Sequence, residues 1–304
     1  MVGRGAPLES PNLRVDVIAI FGPTASGKSA VATRIAARLG TQVVSADALQ
    51  VYRGLETLTN QPLEPTHLVG IRDLSESMSL GEYATLAHST IDELVDARGC
   101  VVVAGGTGLY LRAALADLEI PPPVDADARA RWEQMYDESP DAAHAALVKA
   151  DPAAAAAVHP NDRRRVVRAL ELAGVGSSLT PPTNDLWSDR TRHSTAVFGL
   201  DISNDALARR ISARTDAMLA RGAVDEAKAA LARPISRTAR KALGLEELAT
   251  LPRDEARERV IARTMQYAAY QRRWMRRIPG IALVDGERPE EQVASEIVDL
   301  VRAR

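Results

Sequence analysis

The sequence predicts an α/β fold: a parallel sheet flanked by helices, with a small all-helical domain inserted into it. Three observations carry that expectation. Short β-branched runs alternate with helical runs early in the chain, in the order strand, helix, strand, helix, strand. The glycine-rich loop "FGPTASGKS" joins the first strand to the first helix. After Pro121-Pro122-Pro123 the strands stop, and an alanine-rich helical texture persists until strands resume near Ser194.

Each element follows from local pattern. "VDVIAIF" (Val15 to Phe21) is a continuous apolar run ended by Gly22 and Pro23, which predicts a buried strand. "KSAVATRIAARL" has apolar residues at helical spacing and stops at Gly40; "TQVVSAD" predicts a second strand. "LGEYATLAHSTIDELVDARG" predicts a helix closed by Gly99, and "CVVVAGG" a third strand, with another helix starting near Leu109. From Asp125 to Ala173 the pattern is helical, punctuated by Pro140, Pro152 and Pro160; "GVGSSLTPPTNDLWSDRTRH" predicts a loop. "STAVFGL" returns a strand, two long helical stretches follow (Asn204 to Leu231 and Arg253 to Arg277), and "IALVD" and Pro289 to Arg302 predict a last strand and helix. The expected domains are residues 14–122 and 195–304 for the α/β core and 123–175 for the inserted helices.

Composition narrows the function. The formal net charge of −2 supplies no global basic field, so any nucleic-acid surface has to be local. The single cysteine, Cys100, excludes an internal disulfide framework and a cysteine metal cluster, and its apolar setting predicts a small buried hydrophobe. The N-terminus carries no apolar stretch of signal-peptide length, and no apolar run approaches the roughly 20 residues that span a bilayer. A cytoplasmic protein with no membrane partner is expected.

Gly22-Pro23-Thr24-Ala25-Ser26-Gly27-Lys28-Ser29 satisfies G-x-x-x-x-G-K-[ST] between a strand and a helix, which makes the expected core P-loop NTPase-like. In such a loop backbone N–H groups and a helix N-terminus wrap phosphate, Lys28 adds a full charge, and the Ser29 hydroxyl is offered to Mg²⁺. Most chains with this loop hold ATP or GTP. Here the third strand ends in Ala104-Gly105-Gly106-Thr107 without the carboxylate that an NTPase uses to help hold the metal; the nearest is Asp47. Asp47 lies just past the second strand, where open α/β sheets bind ligands, and suits a base or a holder of metal-bound water; a helix N-cap is the plainer alternative. Thr107 lies between glycines that allow a ligand close approach, and it too can be a cap.

Taken together, "GPTASGKS", "SADALQVYRGL", "GGTGLYLRAAL", "HPNDRRRVVRALE" and "RISARTDAML" resemble the tRNA dimethylallyltransferase (tRNA isopentenyltransferase) family, in that family's order and from about Val15 to Trp274. The resemblance implies transfer of a dimethylallyl group from dimethylallyl diphosphate to the exocyclic N6 amine of the adenosine 3′-adjacent to the anticodon, with Mg²⁺ and release of pyrophosphate. It implies that Asp47 takes the amine proton, that Thr107 contacts the reacting region, and that Arg210 and Arg214, four apart and so on one helix face, hold the diphosphate with residues 22–29. It assigns tRNA contact to Asp47, Ala48, Leu49 and Gln50, to Thr107, to Arg129, and to Arg164, Arg165 and Arg168. A target base in an anticodon loop has to be turned out of its stack. The stretch "YQRRWMRR" interleaves Tyr270 and Trp274 with arginines, a composition that suits unpaired bases, although Trp274 equally suits a helix anchor. A monomer is expected.

The chain departs from the family pattern at Ala48 (usually Ser), Gln61 (usually Lys), Arg163 and Arg164 (usually Pro and Gln), Gly244-Leu245-Glu246 (usually Gly, Tyr and a basic residue) and Ala269-Tyr270 (usually Lys and Arg). These departures touch tRNA grip and leave Lys28, Ser29, Asp47 and Thr107 in place. The alternatives are an isopentenyltransferase for free adenine nucleotides, a small-molecule or nucleotide kinase with "NDRRRVVR" as a phosphate lid, and a non-enzymatic RNA-binding protein on the same scaffold.

Overall fold

The computed structural model describes residues 14–120, 126–180 and 185–304. The chain forms two compact units. One comprises the residues up to Asp117 and from Asp189 onward; the other is Leu118–Ser188.

The first unit begins with β1 (Val17–Phe21), α1 (Lys28–Leu39), β2 (Val43–Ser45), β3 (Thr66–His67), α2 (Leu80–Arg98), β4 (Val101–Gly105) and α3 (Gly108–Leu115). The second unit holds α4 (Ala126–Glu138), α5 (Pro140–Ala150), α6 (Pro152–Ala157) and α7 (Arg163–Gly174). The first unit then resumes with β5 (Thr195–Asp201), α8 (Asn204–Ala220), α9 (Ala223–Leu231), α10 (Leu245–Thr250), α11 (Arg253–Met275), β6 (Ala282–Asp285) and α12 (Glu290–Arg302).

The six strands form one sheet in the order β3-β2-β4-β1-β5-β6, and every neighbouring pair is parallel. Ile18, Ile20, Val102 and Ala104 pack into one apolar layer with Val31, Ile35 and Leu39 of α1 and with Val293, Ile297 and Val301 of α12. Val17, Ala19, Val101 and Val103 are as deeply buried, so both faces of the sheet are covered. That is why these strands read as continuous apolar runs rather than alternating ones. Cys100 belongs to the same layer, as expected for a small apolar side chain. No helix among the described residues is long and apolar enough to cross a membrane.

Helix limits follow the local chemistry. Ser79 and Glu82 form a capping box on α2, which ends at Gly99 in the left-handed region. In the second unit Pro140 and Pro152 each begin a helix, where a missing N–H costs nothing, behind the caps Ser139 and Asp151. Asp162 caps α7 by accepting from Arg165 N. The core of this unit is Tyr136, Leu147, Val158, Val166, Val167 and Leu170 with small alanines between them. Leu179 packs on that core and Ser178 donates to Asp151, so the unit extends past the 123–175 range read from the sequence.

Three features differ from the sequence expectation. The third expected strand is β4, because two polar residues, Thr66 and His67, pair with Val43 and Val44 as a short edge strand. The stretch Asn204 to Leu231 is two helices, broken where Gly222 takes φ 88°. The short helix α10 had no counterpart in the pattern.

The chain leaves and re-enters the first unit at adjoining points. Arg192 N donates to Leu115 O at 2.8 Å, and the Arg192 guanidinium pairs with Asp117 and Asp92 at 2.8 Å each.

A close approach explains one glycine in "AGGTG". A Cβ on Gly105 would lie 2.1 Å from the Ala46 carbonyl oxygen, a backbone atom fixed by the β2–β4 ladder. Gly105→Ala is therefore expected to lower stability by roughly 1–3 kcal/mol, the cost of overpacking a filled site. Urea denaturation checks this: an unchanged midpoint would mean that the two strand ends can part.

Candidate active site

Three adjacent strands deliver the expected residues to one edge of the sheet. The phosphate loop follows β1, Asp47 follows β2 and Thr107 follows β4, all at carboxyl ends. The chain turns to one side of β1 for β2 to β4 and to the other for β5 and β6, so this is the crevice where open sheets bind ligands.

The loop is shaped for an anion. Gly27 takes φ 90° and Ala25 φ 63°, and Ser26 N donates to Pro23 O at 3.1 Å. Gly27 caps α1 with no side-chain hydrogen bond, so the first-turn N–H groups have no side-chain cap among the described residues. Ser26 Oγ is buried without a hydrogen-bond partner among the described residues, and it faces Gly22, where a Cβ would come within 2.5 Å of it. Burial lowers the Lys28 pKa to about 8; Asp47 opposes that shift and Arg214 adds to it. Arg214 is lowered in the same way, by burial first, with Asp47 again opposing. Two cations with one carboxylate are thus held close together, half-buried at one wall, an arrangement that a polyanion would relieve.

Arg210 and Arg214 share a face of α8, as their spacing implied, but they do different work. Arg214 Nη1 donates to Thr24 Oγ1 at 2.6 Å. Arg210 spends its guanidinium on the carbonyls of Ser26 at 3.2 Å, Gly286 at 3.1 Å and Glu287 at 3.4 Å, bracing the loop against the turn before α12.

Asp47 does not cap a helix: the residues after it form turns. Its Oδ1 accepts from Leu49 N at 2.9 Å. Thr107 occupies the cap position of α3 without making a side-chain cap. Its Oγ1 instead accepts from Ala48 N at 3.4 Å, joining the two motifs. Only the backbone of Ala48 takes part, so the loss of the usual serine hydroxyl leaves this contact intact. Gln50 is committed internally: Ser45 Oγ donates to it at 2.9 Å, and it donates to the carbonyls of Thr59 and Asn60. Gln61 donates to the carbonyls of Tyr52 at 2.7 Å and Gln50 at 3.2 Å, so the residue in place of lysine braces the same loop.

Two residues of α11 were not anticipated as site residues. Gln271 is 1% exposed; Thr24 N donates to its Oε1 at 2.7 Å, and its Nε2 donates to Gly106 O at 2.9 Å. A flipped amide would set donor against donor, so the orientation is fixed. Tyr267 meets the side chains of Thr107 and Gln271, and burial raises its pKa to about 12. Periodicity places both residues on the inner side of a helix and gives no hint that this side faces the loop. Trp274, one turn on, packs against Gly108 and serves as an anchor.

The phosphate loop, Asp47, α8 and α11 line a cavity of about 330 Å³; Thr107 stands behind its wall, in contact with the lining residue Tyr267. Thr24, Gly27, Lys28 and Ser29, with Arg210 and Arg214, form its cationic wall; Asp47, Gln50, Tyr267 and Gln271 are polar, and Leu58, Ile211, Met218, Leu243 and Val260 are apolar. Among the described residues no three His, Cys, Asp or Glu side chains gather into a metal site. Ser29 and Asp47 line the same cavity, a sparse donor set of the kind that holds Mg²⁺ mainly through phosphate oxygens and water.

The remaining expected residues lie in the second unit. Arg164 and Arg165 at the start of α7 are exposed, with no ion pair among the described residues. Arg129 and Arg168 are instead drawn to Glu171, which is 1% exposed: Arg168 Nη1 lies 3.0 Å from it and Arg129 Nε 3.5 Å. Arg163 pairs with Asp137 at 2.6 Å.

Comparison with known proteins gives consistent matches. The model of the IPP transferase family matches residues 50–278, and that of the isopentenyl transferase family residues 15–75. The tRNA dimethylallyltransferase of Streptomyces coelicolor is 39% identical over 284 residues, covering 89% of this chain and 90% of its own. That of Anaeromyxobacter sp. is 38% identical over 297 residues, covering 93% and 97%. The solved full-length tRNA isopentenylpyrophosphate transferase of Bacillus halodurans superposes with a TM-score of 0.67 at 32% identity, over 95% of this chain and 96% of its own. A eukaryotic dimethylallyltransferase solved acting on tRNA superposes with a TM-score of 0.70 at 27% identity, over 89% and 74%.

Proposed function

The chain belongs to the IPP transferase family, and from that premise we propose that it is a tRNA dimethylallyltransferase. It transfers the dimethylallyl group of dimethylallyl diphosphate to the N6 amine of the adenosine 3′-adjacent to the anticodon and releases pyrophosphate. One observation carries this reading: a single cavity combines a cationic wall, a carboxylate and apolar side chains. A nucleotide kinase needs the first and has less use for the last.

The diphosphate lies against the N–H groups at the start of α1, with Lys28 and Arg214 neutralising it. The apolar side chains beside them accept the five-carbon tail. The adenine amine attacks the allylic carbon that bears the diphosphate; the carbon–oxygen bond breaks and its electron pair leaves with the pyrophosphate. The amine proton passes to the Asp47 carboxylate, which its own backbone turn holds in place. Thr107, joined to the Asp47 turn through Ala48 and to Tyr267, orients the base. Negative charge grows on the leaving group, and the half-buried cations are worth more there than in water. The Ser29 hydroxyl would hold Mg²⁺, which would supply charge neutralisation for the diphosphate there.

Offering labelled dimethylallyl diphosphate with unmodified tRNA, and separately with free AMP, tests the proposal; labelled ATP with candidate metabolites tests the kinase alternative. Label on tRNA is expected. Label on AMP instead, or phosphate transfer from ATP, would overturn it.

Arg164 and Arg165 supply electrostatic grip on the RNA backbone. Neutralising both is expected to make the salt dependence of tRNA binding shallower, by the slope belonging to about two phosphate contacts. An equally steep slope would assign them to ordinary surface. Arg129 and Arg168 contribute less net charge, since Glu171 offsets them.

A further inference from the structure

The exposed end of α11 carries an aromatic and guanidinium assembly that the reaction above does not use. Tyr270 is 46% exposed, whereas Tyr52 and Tyr83 are fully buried. Its ring stacks on Tyr267 with centroids 6.2 Å apart and planes 22° apart, and the Arg273 guanidinium lies 5.8 Å over it. Tyr267 in turn lines the cavity and meets Thr107. A continuous aromatic path therefore runs from the cavity wall to solvent. Its own stretch of chain is basic: from Arg259 to Val284 there is no acidic residue, and Arg273, Arg276 and Arg277 follow the ring in sequence, while Arg272 pairs with Asp201 at 3.8 Å. A tyrosine kept for packing would bury its ring.

We propose that Tyr270 and Arg273 form a stacking platform for an unpaired base of the RNA substrate, the one adjoining the nucleotide that enters the cavity. This rests on the tRNA reading above. Aromatic rings and guanidinium planes are the surfaces on which splayed-out bases stack, and stacking tolerates any base because each has a π-face. A flipped nucleotide leaves its neighbour unstacked at the mouth of the site. Tyr270 offers that neighbour a replacement partner, while Arg273 adds a charge close to the backbone phosphates.

The test uses an anticodon stem-loop RNA with 2-aminopurine placed beside the target adenosine, titrated with full-length wild type, Tyr270→Phe and Tyr270→Ala. Wild type and Tyr270→Phe should quench the probe and bind within about two-fold of each other. Tyr270→Ala should lose the quenching and bind roughly 5- to 150-fold more weakly, the fold-change for one lost base stack. Pyrophosphate binding, alike in all three, shows that the cavity is intact. If Tyr270→Ala binds, quenches and prenylates the RNA as wild type does, the platform is refuted and the enzyme assignment stands. If wild type neither binds nor prenylates the RNA, the assignment itself fails and the platform falls with it.

Discussion

Replacing Asp47 by alanine or asparagine lowers turnover by roughly 10² to 10⁴, the usual share of a general base, and leaves tRNA affinity nearly unchanged. The carboxylate sits in a turn of its own making and not at a helix end, so little of the fold depends on it. Pyrophosphate should bind at least as tightly as before. Asp47 is a negative charge close enough to Lys28 and Arg214 to oppose their lowered pKa values, and removing it leaves the anion site more positive. Single-turnover rates together with separate binding curves for pyrophosphate and tRNA decide the matter. Intact turnover, or a defect confined to binding, would strip Asp47 of the role.

Replacing Lys28 by methionine has the opposite signature. Pyrophosphate binding weakens, and kcat/KM for the prenyl donor falls by about 10² to 10³, as when one preorganised stabilising group is lost. Stability of the ligand-free protein should rise. The ordinary lysine pKa is 10.5, and in the fold it is about 8 because burial disfavours the charge. Below about pH 8 the side chain is protonated in both folded and unfolded chains, and the penalty is fully present. It fades as the folded form loses its proton between about 8 and 10.5. At neutral pH, methionine avoids that penalty and keeps the packing of the stem. A higher melting temperature with a lost activity is the expected pair; a lower one would mean that Lys28 is a structural cation.

The sequence discloses the parts of this site that local chemistry dictates. The loop from Gly22 to Ser29 is legible because its glycines and lysine stand between an apolar run and a helical one. Asp47 and Thr107 are legible as strand-end residues, and the carboxyl-end rule places strand ends together. Gln271 and Tyr267 are not legible, because their meaning depends on α11 approaching the loop from more than 240 residues away in sequence. The edge strand Thr66–His67 is hidden for a related reason: it has no apolar signal, and only its pairing with Val43 and Val44 makes it a strand. Arginine roles are the least readable. Arg164, Arg165 and Arg168 share one cluster in the sequence, yet Arg168 turns to a buried glutamate while its neighbours stay in water.

The neck at Leu115 and Arg192 has a consequence for how such a chain changes over time. Because the exit and return points touch, the sheet closes the same short gap however long the intervening segment is, and the entropy of closure grows only slowly with length. Helices there can lengthen, drift or be exchanged without disturbing strand register. Selection is thus free to reshape that unit as though swapping a cartridge, while the sheet and the cavity at its carboxyl edge stay with the other unit.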